Sequence, residues 1–468
     1  MSFLLSPFEL AQKSPFELPP TNFVIFLAIH LKYNSYYIKS MKIAIVGLGY
    51  VGLPLSLQFA HSGVTVLGLD IDSSKVEAIT SGRSYIKHIA SETIAEVVKG
   101  GKFSASADFS RVKDVEAVII CVPTPLNKNR EPDISFILET GKSIAPHLVK
   151  GTLVVLESTT YPGTTDEDLR EVLEAGSGFK AGVDFHLAFS PEREDPGNAL
   201  SKVQLIPKVI GGYTPACLER TKALYGQAIK TLVPVSSCRV AEATKLLENI
   251  FRSVNIALVN ELKLVYGAMG IDVWEVIGAA KTKPFGFMAF YPGPGLGGHC
   301  IPIDPFYLTW KAREYGQNTR FIELAGEINT AMPTYVVNRT AEALNAQQKP
   351  VNGSCVLIVG LAYKPNVDDD RESPSYVLMD LLGERGADVS YYDPYVGVIP
   401  KTREHPHWAG TRSVTWSRET LQGFDAVIIA THHAAINYQE LSDWSQCIVD
   451  TRNAMAAVKT KPGQVWKA

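Results

Sequence analysis

Apolar residues in this chain fall into short runs of five or six, broken by glycine and separated by longer stretches of helical periodicity. The first clear run, Met41 to Val46, ends at Gly47 and passes straight into Gly47-Leu48-Gly49-Tyr50-Val51-Gly52. Leu53 to His61 then reads as a helix, and Val64 to Leu69 as a second strand that stops at Asp70. Further strands are expected at Ala117–Val122, Leu153–Leu156 and Phe185–Phe189. From Val235 to Tyr266 there is neither glycine nor proline, and Leu247, Ile250, Val254 and Leu258 recur at helical spacing. This predicts one long helix, suited to connect two units and to carry a dimer face. A second series begins at Val356-Leu357-Ile358-Val359-Gly360. It continues with a helix over Ser375–Glu384 and strands at Asp388–Tyr392, Ala426–Ala430 and Ile448–Asp450.

The order strand, glycine turn, helix, strand, acid carries a chemical expectation. Gly47 permits the tight turn, Gly49 lets backbone approach a pyrophosphate, and Gly52 lets the helix pack on the strand. Tyr50 and Val51 lie in the same turn, at a helix N-terminus that faces phosphates. Asp70 is placed to accept hydrogen bonds from ribose hydroxyls and to repel a 2′-phosphate, which favours NAD over NADP. Pro123 and Thr124 leave the carboxyl end of a strand, where open sheets bind ligands. The predicted fold is therefore α/β: two Rossmann-like doubly wound domains joined by a long central helix and a helical middle domain. Expected boundaries are an extension over 1–40, an NAD-binding domain over 41–234, a central helical domain over 235–345 and a second α/β domain over 346–468.

Composition narrows the class. Hydrophobic residues make up 46% and charged residues 20% of the 468, an ordinary globular mix. Lys and Arg number 45 against 48 Asp and Glu, which argues against a nucleic-acid binder built on basic surface. The six cysteines are scattered with no C-x-x-C pair, so neither a zinc site nor a disulfide framework is expected, and reduced thiols in the cytoplasm are. Residues 1–40 repeat Ser-Pro-Phe-Glu-Leu at Ser6 and Ser14, and their apolar run, Phe23 to Leu31, is too short for a membrane span. They read as a poorly ordered extension or an unused upstream start, with Met41 a plausible true beginning.

Three clusters bear chemistry. Gly293 to Gly298 holds four glycines, followed by His299, Cys300 and Asp304. That much backbone freedom suggests close approach of a ligand. Against this, a lone cysteine is usually a small buried hydrophobe, and Asp304-Pro305 is a good helix start. On the long helix, Glu242, Lys245, Asn249 and Arg252 share helical spacing; they form either a solvated face or a cationic and amide pair aimed into a site. Finally, Pro191-Glu192-Arg193 follows a predicted strand directly.

Taken in order, these segments resemble the UDP-glucose/UDP-N-acetylhexosamine 6-dehydrogenase family. The motifs are Gly47-x-Gly49-x-x-Gly52 with Asp70, Ser158-Thr159, Pro191-Glu192-Arg193, Lys245-x-x-x-Asn249 and Gly297-Gly298-His299-Cys300-x-x-x-Asp304. Gly360-Leu361-Ala362-Tyr363-Lys364-Pro365 with Asp369-x-Arg371-x-Ser373-Pro374 completes them. The resemblance spans roughly residues 41–460. It implies a four-electron oxidation of a C6 alcohol to a carboxylate with two NAD, Cys300 acting as a thiolate that forms a thiohemiacetal and then a thioester. It further implies Lys245 and Asn249 at the reacting oxygen, Asp304, Glu192 and Thr159 at the water and proton steps, and Arg371 beside the cofactor. Arg193, Gly297, Gly298, His299 and Lys364 would contact the UDP-sugar. Pro-Glu-Arg stands where UDP-glucose enzymes commonly have Pro-Glu-Phe, and His299 stands where they have serine. These departures favour a UDP-N-acetylhexosamine, UDP-N-acetylglucosamine first, leaving UDP-N-acetylmannosamine and UDP-glucose open. A two-electron hydroxyacid dehydrogenase would lack the Gly-Gly-x-Cys element, and a silent nucleotide-sugar sensor would be expected to lose a reactive residue. No metal, nucleic acid or membrane is expected, and a homodimer or larger homo-oligomer is expected through the central helix.

Overall fold

The computed structural model describes residues 41–86, 89–127, 130–193, 205–298, 301–402 and 404–468. The extension 1–40, His299 and Cys300 lie outside the described residues. Residues 42–468 cluster as one compact unit built on two sheets.

The first sheet has eight strands: β1 (Lys42–Val46), β2 (Thr65–Leu69), β3 (Phe103–Ser106), β4 (Ala117–Ile120), β5 (Leu153–Leu156), β6 (His186–Phe189), β7 (Lys208–Gly212) and β8 (Leu232–Val235), in the order β3-β2-β1-β4-β5-β6-β7-β8. All neighbours are parallel except β6 and β7. The second sheet holds β9 (Cys355–Val359), β10 (Asp388–Tyr392), β11 (Ala426–Ile429), β12 (Ile448–Asp450) and β13 (Val465–Lys467), all parallel in the order β10-β9-β11-β12-β13. These are the two common doubly wound orders, each with a switch point beside its first strand. The central strands are apolar throughout because helices cover both faces: β4, β5 and β11 are buried along their whole length.

The strands expected from sequence are all present. Those it did not identify, β3, β7, β8 and β13, share a cause. β3, β8 and β13 are edge strands with few or no buried side chains, and β8 contains Pro234. β7 reads Lys-Val-Ile-Gly-Gly, too polar and too glycine-rich to stand out.

At the first switch point each glycine of the turn has a different reason. Gly47 has φ +89° and a Cβ there would lie 2.6 Å from the Cys121 carbonyl oxygen. A Cβ on Gly52 would overlap the Gly47 carbonyl oxygen, whereas one on Gly49 would meet nothing within 4 Å. Gly47 and Gly52 are thus required by the fold, and Gly49 faces open space. The second switch point repeats the construction. Gly360 has φ +92° and Thr431 crowds it. Asp393 accepts from the Leu361 amide at 2.7 Å, as Asp70 does from the Leu48 amide at 2.8 Å.

The long helix runs Cys238–Ala268, capped by Ser237, whose hydroxyl accepts from the Val240 amide. Of its polar cluster, Glu242, Lys245 and Asn249 turn inward and Arg252 outward. Leu247 and Leu258 are 67% and 50% exposed, while Glu242, Lys245, Asn249, Ser253, Asn260 and Lys263 are buried. The apolar periodicity marks an outer seam, and the polar residues face the protein.

Gly52→Ala is expected to destabilise the protein by roughly 3 kcal/mol or more through backbone overlap, whereas Gly49→Ala should melt like the parent and bind NAD more weakly. Differential scanning calorimetry with and without NAD checks both.

Candidate functional site

The buried polar face of the central helix meets three segments from elsewhere in the chain. The Lys245 ammonium donates to the Glu192 carbonyl oxygen at 2.5 Å and lies 3.5 Å from its carboxylate. The Asn249 amide donates to the Asp304 carboxylate, and the Arg252 guanidinium donates to the Asn249 carbonyl oxygen. Asp304 opens the helix Asp304–Glu314, yet no side chain caps that helix, so its carboxyl serves the cluster and not its own N-terminus. Tyr307, one turn on, donates to the Thr124 carbonyl oxygen at 2.5 Å and ties this helix to the loop after β4. Tyr161, Leu246 and Tyr307 form a small apolar cluster here.

Burial dominates the electrostatics. Asp304 is pushed up to about 7 by loss of solvent, a rise that the Lys245 charge and the Asn249 hydrogen bond moderate. The carboxyl can therefore hold or release a proton near neutrality. Glu242 is also pushed up to about 7 by burial. The structure separates it from the cluster, because its carboxylate accepts from the Gly163 amide at 2.8 Å and from the amide and hydroxyl of Thr165 at 3.0 and 2.7 Å. Thr159 sits half-buried beyond β5, and Ser158 before it donates to the Val122 carbonyl oxygen at 2.7 Å.

The glycines of 293–298 approach protein atoms. A Cβ on Gly293 would collide with the Arg452 guanidinium, on Gly295 with Pro374, and on Gly297 or Gly298 with Tyr363. The Gly298 amide donates to the Arg371 carbonyl oxygen at 3.1 Å. Close packing against Arg452, Pro374 and Tyr363 accounts for these glycines, and the Gly298 amide is committed within the fold. Arg193 is committed likewise, to Glu248 at 2.6 and 3.3 Å and to the Pro207 carbonyl oxygen at 2.6 Å. The Lys364 ammonium lies 5.6 Å from the Tyr363 ring centre.

Arg371 joins the two switch points. Its guanidinium lies 4.2 Å from the centre of the Tyr50 ring and makes a paired contact with Asp369. A cleft of about 690 Å³ lies alongside, lined by Pro125, Leu126, Ile301, Ile303, Phe306 and Arg371 among others. The turn fits a dinucleotide: Gly49 leaves open space, Val51 lies half-buried at the helix start, Asp70 stands at the end of β2, and exposed Pro123 follows β4. Asp70 also holds the turn, accepting from the Leu48 and Asp72 amides and from Lys75 at 3.2 Å.

The chain matches the UDP-glucose/GDP-mannose dehydrogenase family in three consecutive blocks: the NAD binding domain over residues 41–229, the central domain over 239–331 and the UDP binding domain over 357–457. It belongs to that family. It is 36% identical over 397 residues to the UDP-N-acetyl-D-glucosamine 6-dehydrogenase of Pseudomonas aeruginosa, covering 85% of this chain and 91% of the relative. It is 35% identical over 419 residues to the UDP-N-acetyl-D-mannosamine dehydrogenase of Pyrococcus horikoshii, covering 88% and 96%. The solved UDP-D-ManNAc dehydrogenase structure from Pyrococcus horikoshii superposes with a TM-score of 0.81 at 32% identity, covering 91% of this chain and 99% of that one. The protein is an NAD-dependent oxidoreductase of the UDP-sugar dehydrogenases, with NAD as cofactor. Among the described residues no helix is long and apolar enough to cross a membrane, and no group of His, Cys, Asp and Glu is arranged to hold a metal.

Two residues absent from the sequence reading stand out. Lys263 is buried, donates to the Gly293 carbonyl oxygen at 3.3 Å and is pushed down to about 7 by burial and then by Arg452. Arg452, just beyond β12, is held to about 10 by burial, with the Ala430 carbonyl oxygen as its hydrogen-bond acceptor at 2.8 Å. Lys263 could have been found as the cation about three turns past Arg252 on the same helix; Arg452 had no local signal.

The signs of stability against pH follow from these shifts. Between about pH 4 and 7 the folded protein holds a proton on Asp304 that the unfolded chain has lost, so stability falls as pH rises. Between about pH 7 and 10 the unfolded chain holds a proton on Lys263 that the folded protein has lost, so stability rises with pH. Asp304→Asn should flatten the first slope and Lys263→Met the second, as read by denaturant unfolding across pH 5 to 9.

Proposed function

We propose that the protein oxidises the C6 hydroxyl of a UDP-N-acetylhexosamine, UDP-N-acetylglucosamine first, to the uronic acid. The convergence of Lys245, Glu192, Asn249 and Asp304 on one spot, tied through Tyr307 to the loop after β4, carries this reading. NAD, when bound, supplies the hydride acceptor for each oxidation. Lys245 and Asn249 hold the C6 oxygen, and the ammonium stabilises negative charge as it develops there. Asp304, with its affinity for protons near neutral, and Glu192 take up the alcohol proton and later orient water. The Cys300 thiolate adds to the aldehyde carbon, forming a carbon–sulfur bond. Loss of a second hydride leaves a thioester, and water cleaves it to carboxylate and free thiol. One alcohol and one water thus give one carboxylate, two hydrides and three protons. Thr159 lies at the end of β5, in reach of the same water.

The UDP moiety is read as held by the second α/β domain, with Lys364, Lys263 and Arg452 toward the diphosphate. Two buried cations that donate to the Gly293 and Ala430 carbonyl oxygens are costly unless an anion meets them. His299, Gly297 and Arg193 are read as shaping the sugar end, Arg193 through its grip on Glu248. The cleft requires the boundaries 41–234, 235–345 and 346–468 to act together. Relatives named for N-acetylglucosamine and for N-acetylmannosamine match almost equally well, so the C2 epimer is the point to test. A nucleotide-sugar oxidase with reduced thiols suits the cytoplasm, where its uronic acid would feed surface polysaccharide synthesis.

The outer seam of the central helix, Val240, Leu247, Phe251, Leu258 and Val265, recurs at spacings of seven and four and is 42–67% exposed. We read its occupant as a second copy of this chain, since one such seam is complementary to itself in an antiparallel pair.

Measured NADH yield per sugar decides the chemistry. UDP-N-acetylglucosamine should give two NADH per molecule, faster than UDP-N-acetylmannosamine or UDP-glucose, and Cys300→Ala should abolish formation of the acid. A yield of one, or wild-type turnover by Cys300→Ala, would sink the thioester route. Paired Leu247→Glu and Leu258→Glu changes should convert the oligomer to monomer in light scattering; an unchanged mass would place the interface elsewhere.

A further inference from the structure

β7 runs antiparallel to β6, with Phe189 opposite Gly211. Its first residue, Lys208, therefore lies beyond the carboxyl end of β6, on the edge of the sheet where the site is built. The residues flanking Lys208 hold the residues flanking Glu192. The Ser190 hydroxyl donates to the Val209 carbonyl oxygen at 2.8 Å, and the Arg193 guanidinium donates to the Pro207 carbonyl oxygen at 2.6 Å. Lys208 itself turns downward, away from solvent. Its ammonium lies 2.9 Å from the Glu157 carboxylate, and both side chains are almost wholly buried. Tyr225 donates to the other Glu157 oxygen, and the ammonium sits 5.3 Å from the centre of the Tyr225 ring. Glu157 directly follows β5 and directly precedes Ser158-Thr159.

We propose that the Glu157–Lys208 ion pair is a positioning device for Glu192. It fixes the level of β7 against β5, and the backbone acceptors on either side of Lys208, Pro207 and Val209, fix where Glu192 meets Lys245. A buried ion pair is poor at adding stability compared with apolar side chains of the same volume. Its defined length and direction make it a good spacer. The inference rests on the proposed function, in which Glu192 faces the reacting group.

The test uses the full-length enzyme and three variants: Glu157→Asp, which keeps the charge and shortens the reach; Lys208→Met; and Glu157→Gln with Lys208→Met together. Glu157→Asp should retain the parental melting temperature and KM values within about twofold while kcat falls at least tenfold, as expected when a reacting group is displaced by a fraction of an ångström to an ångström. Lys208→Met should lose stability as well as kcat, because it strands a buried carboxylate. The double variant should regain the melting temperature without regaining kcat. Wild-type kcat in the double variant or in Glu157→Asp would overturn the proposal and reduce the pair to a stabilising contact. A crystal structure of Glu157→Asp reads the same point without turnover: the Lys245–Glu192 contact should be lengthened, and an unchanged contact would also overturn it. Failure of the parent enzyme to oxidise any of the three UDP-sugars would instead strike the proposed function, and leave the crystallographic result to decide the positioning role.

Discussion

The constraint on which the structure depends is the polar face that the central helix buries. A buried amide or hydroxyl left without a partner costs about 1–3 kcal/mol, and a buried charge costs more. Glu242, Lys245, Asn249, Ser253, Asn260 and Lys263 occupy successive turns of one face, so every turn must be met by a specific partner. The chain supplies them from four places: the Gly163–Thr165 turn for Glu242, the Glu192 loop for Lys245, Asp304 for Asn249, and Gly293 for both Asn260 and Lys263. An apolar interface of this size would tolerate sliding. A ladder of directed contacts does not, and it sets the first α/β domain and the segments at Gly293 and Asp304 against the helix in one register.

The ladder also changes character along its length. Around Lys245 the charges balance, with Glu192 and Asp304 facing one lysine. About five turns further, Lys263 and Arg452 lie close enough to repel, their side chains donating to carbonyl oxygens and the Lys263 ammonium lying 5.0 Å from the Tyr335 ring centre. The first arrangement is suited to moving protons, since burial leaves Asp304 near neutral affinity. The second is suited to receiving negative charge from outside. A single helix thus keeps the balanced charges around Lys245 apart from the cationic end at Lys263 by about five turns, some 27 Å at 5.4 Å per turn.

Much of this was legible in the sequence, for definable reasons. Gly47, Gly52 and Asp70 announce themselves because backbone overlap and a strand end dictate them locally. Lys245, Asn249 and Asp304 could be grouped by helical spacing and by resemblance. The direction of the long helix could not, because Leu247 and Leu258 have the same periodicity whether they line a core or an outer seam. The glycines of 293–298 suggested a ligand, and the structure answers with Tyr363, Pro374 and Arg452, residues between 65 and 159 positions away in the chain. No local pattern encodes that packing. Arg193 and Glu242 read as site residues by neighbourhood, yet their partners, Glu248 and the Gly163–Thr165 turn, are set by tertiary contact.

Arg371 shows how far coupling between the two nucleotide switch points is built into the backbone. Its carbonyl oxygen accepts from the Gly298 amide, two residues before Cys300, while its side chain reaches Tyr50 in the dinucleotide turn. Asp369 grips the guanidinium from within the same short segment, so the side chain is braced before anything binds. One residue of the second domain therefore contacts both the glycine turn of the NAD-binding domain and the loop that leads to Cys300. Because Gly297 and Gly298 cannot carry a Cβ against Tyr363, that loop cannot drift from Arg371 without unpacking the segment Gly360–Pro374. Displacement at either switch point must then be felt at the other, so the NAD-binding turn and the UDP-binding domain are held in one register.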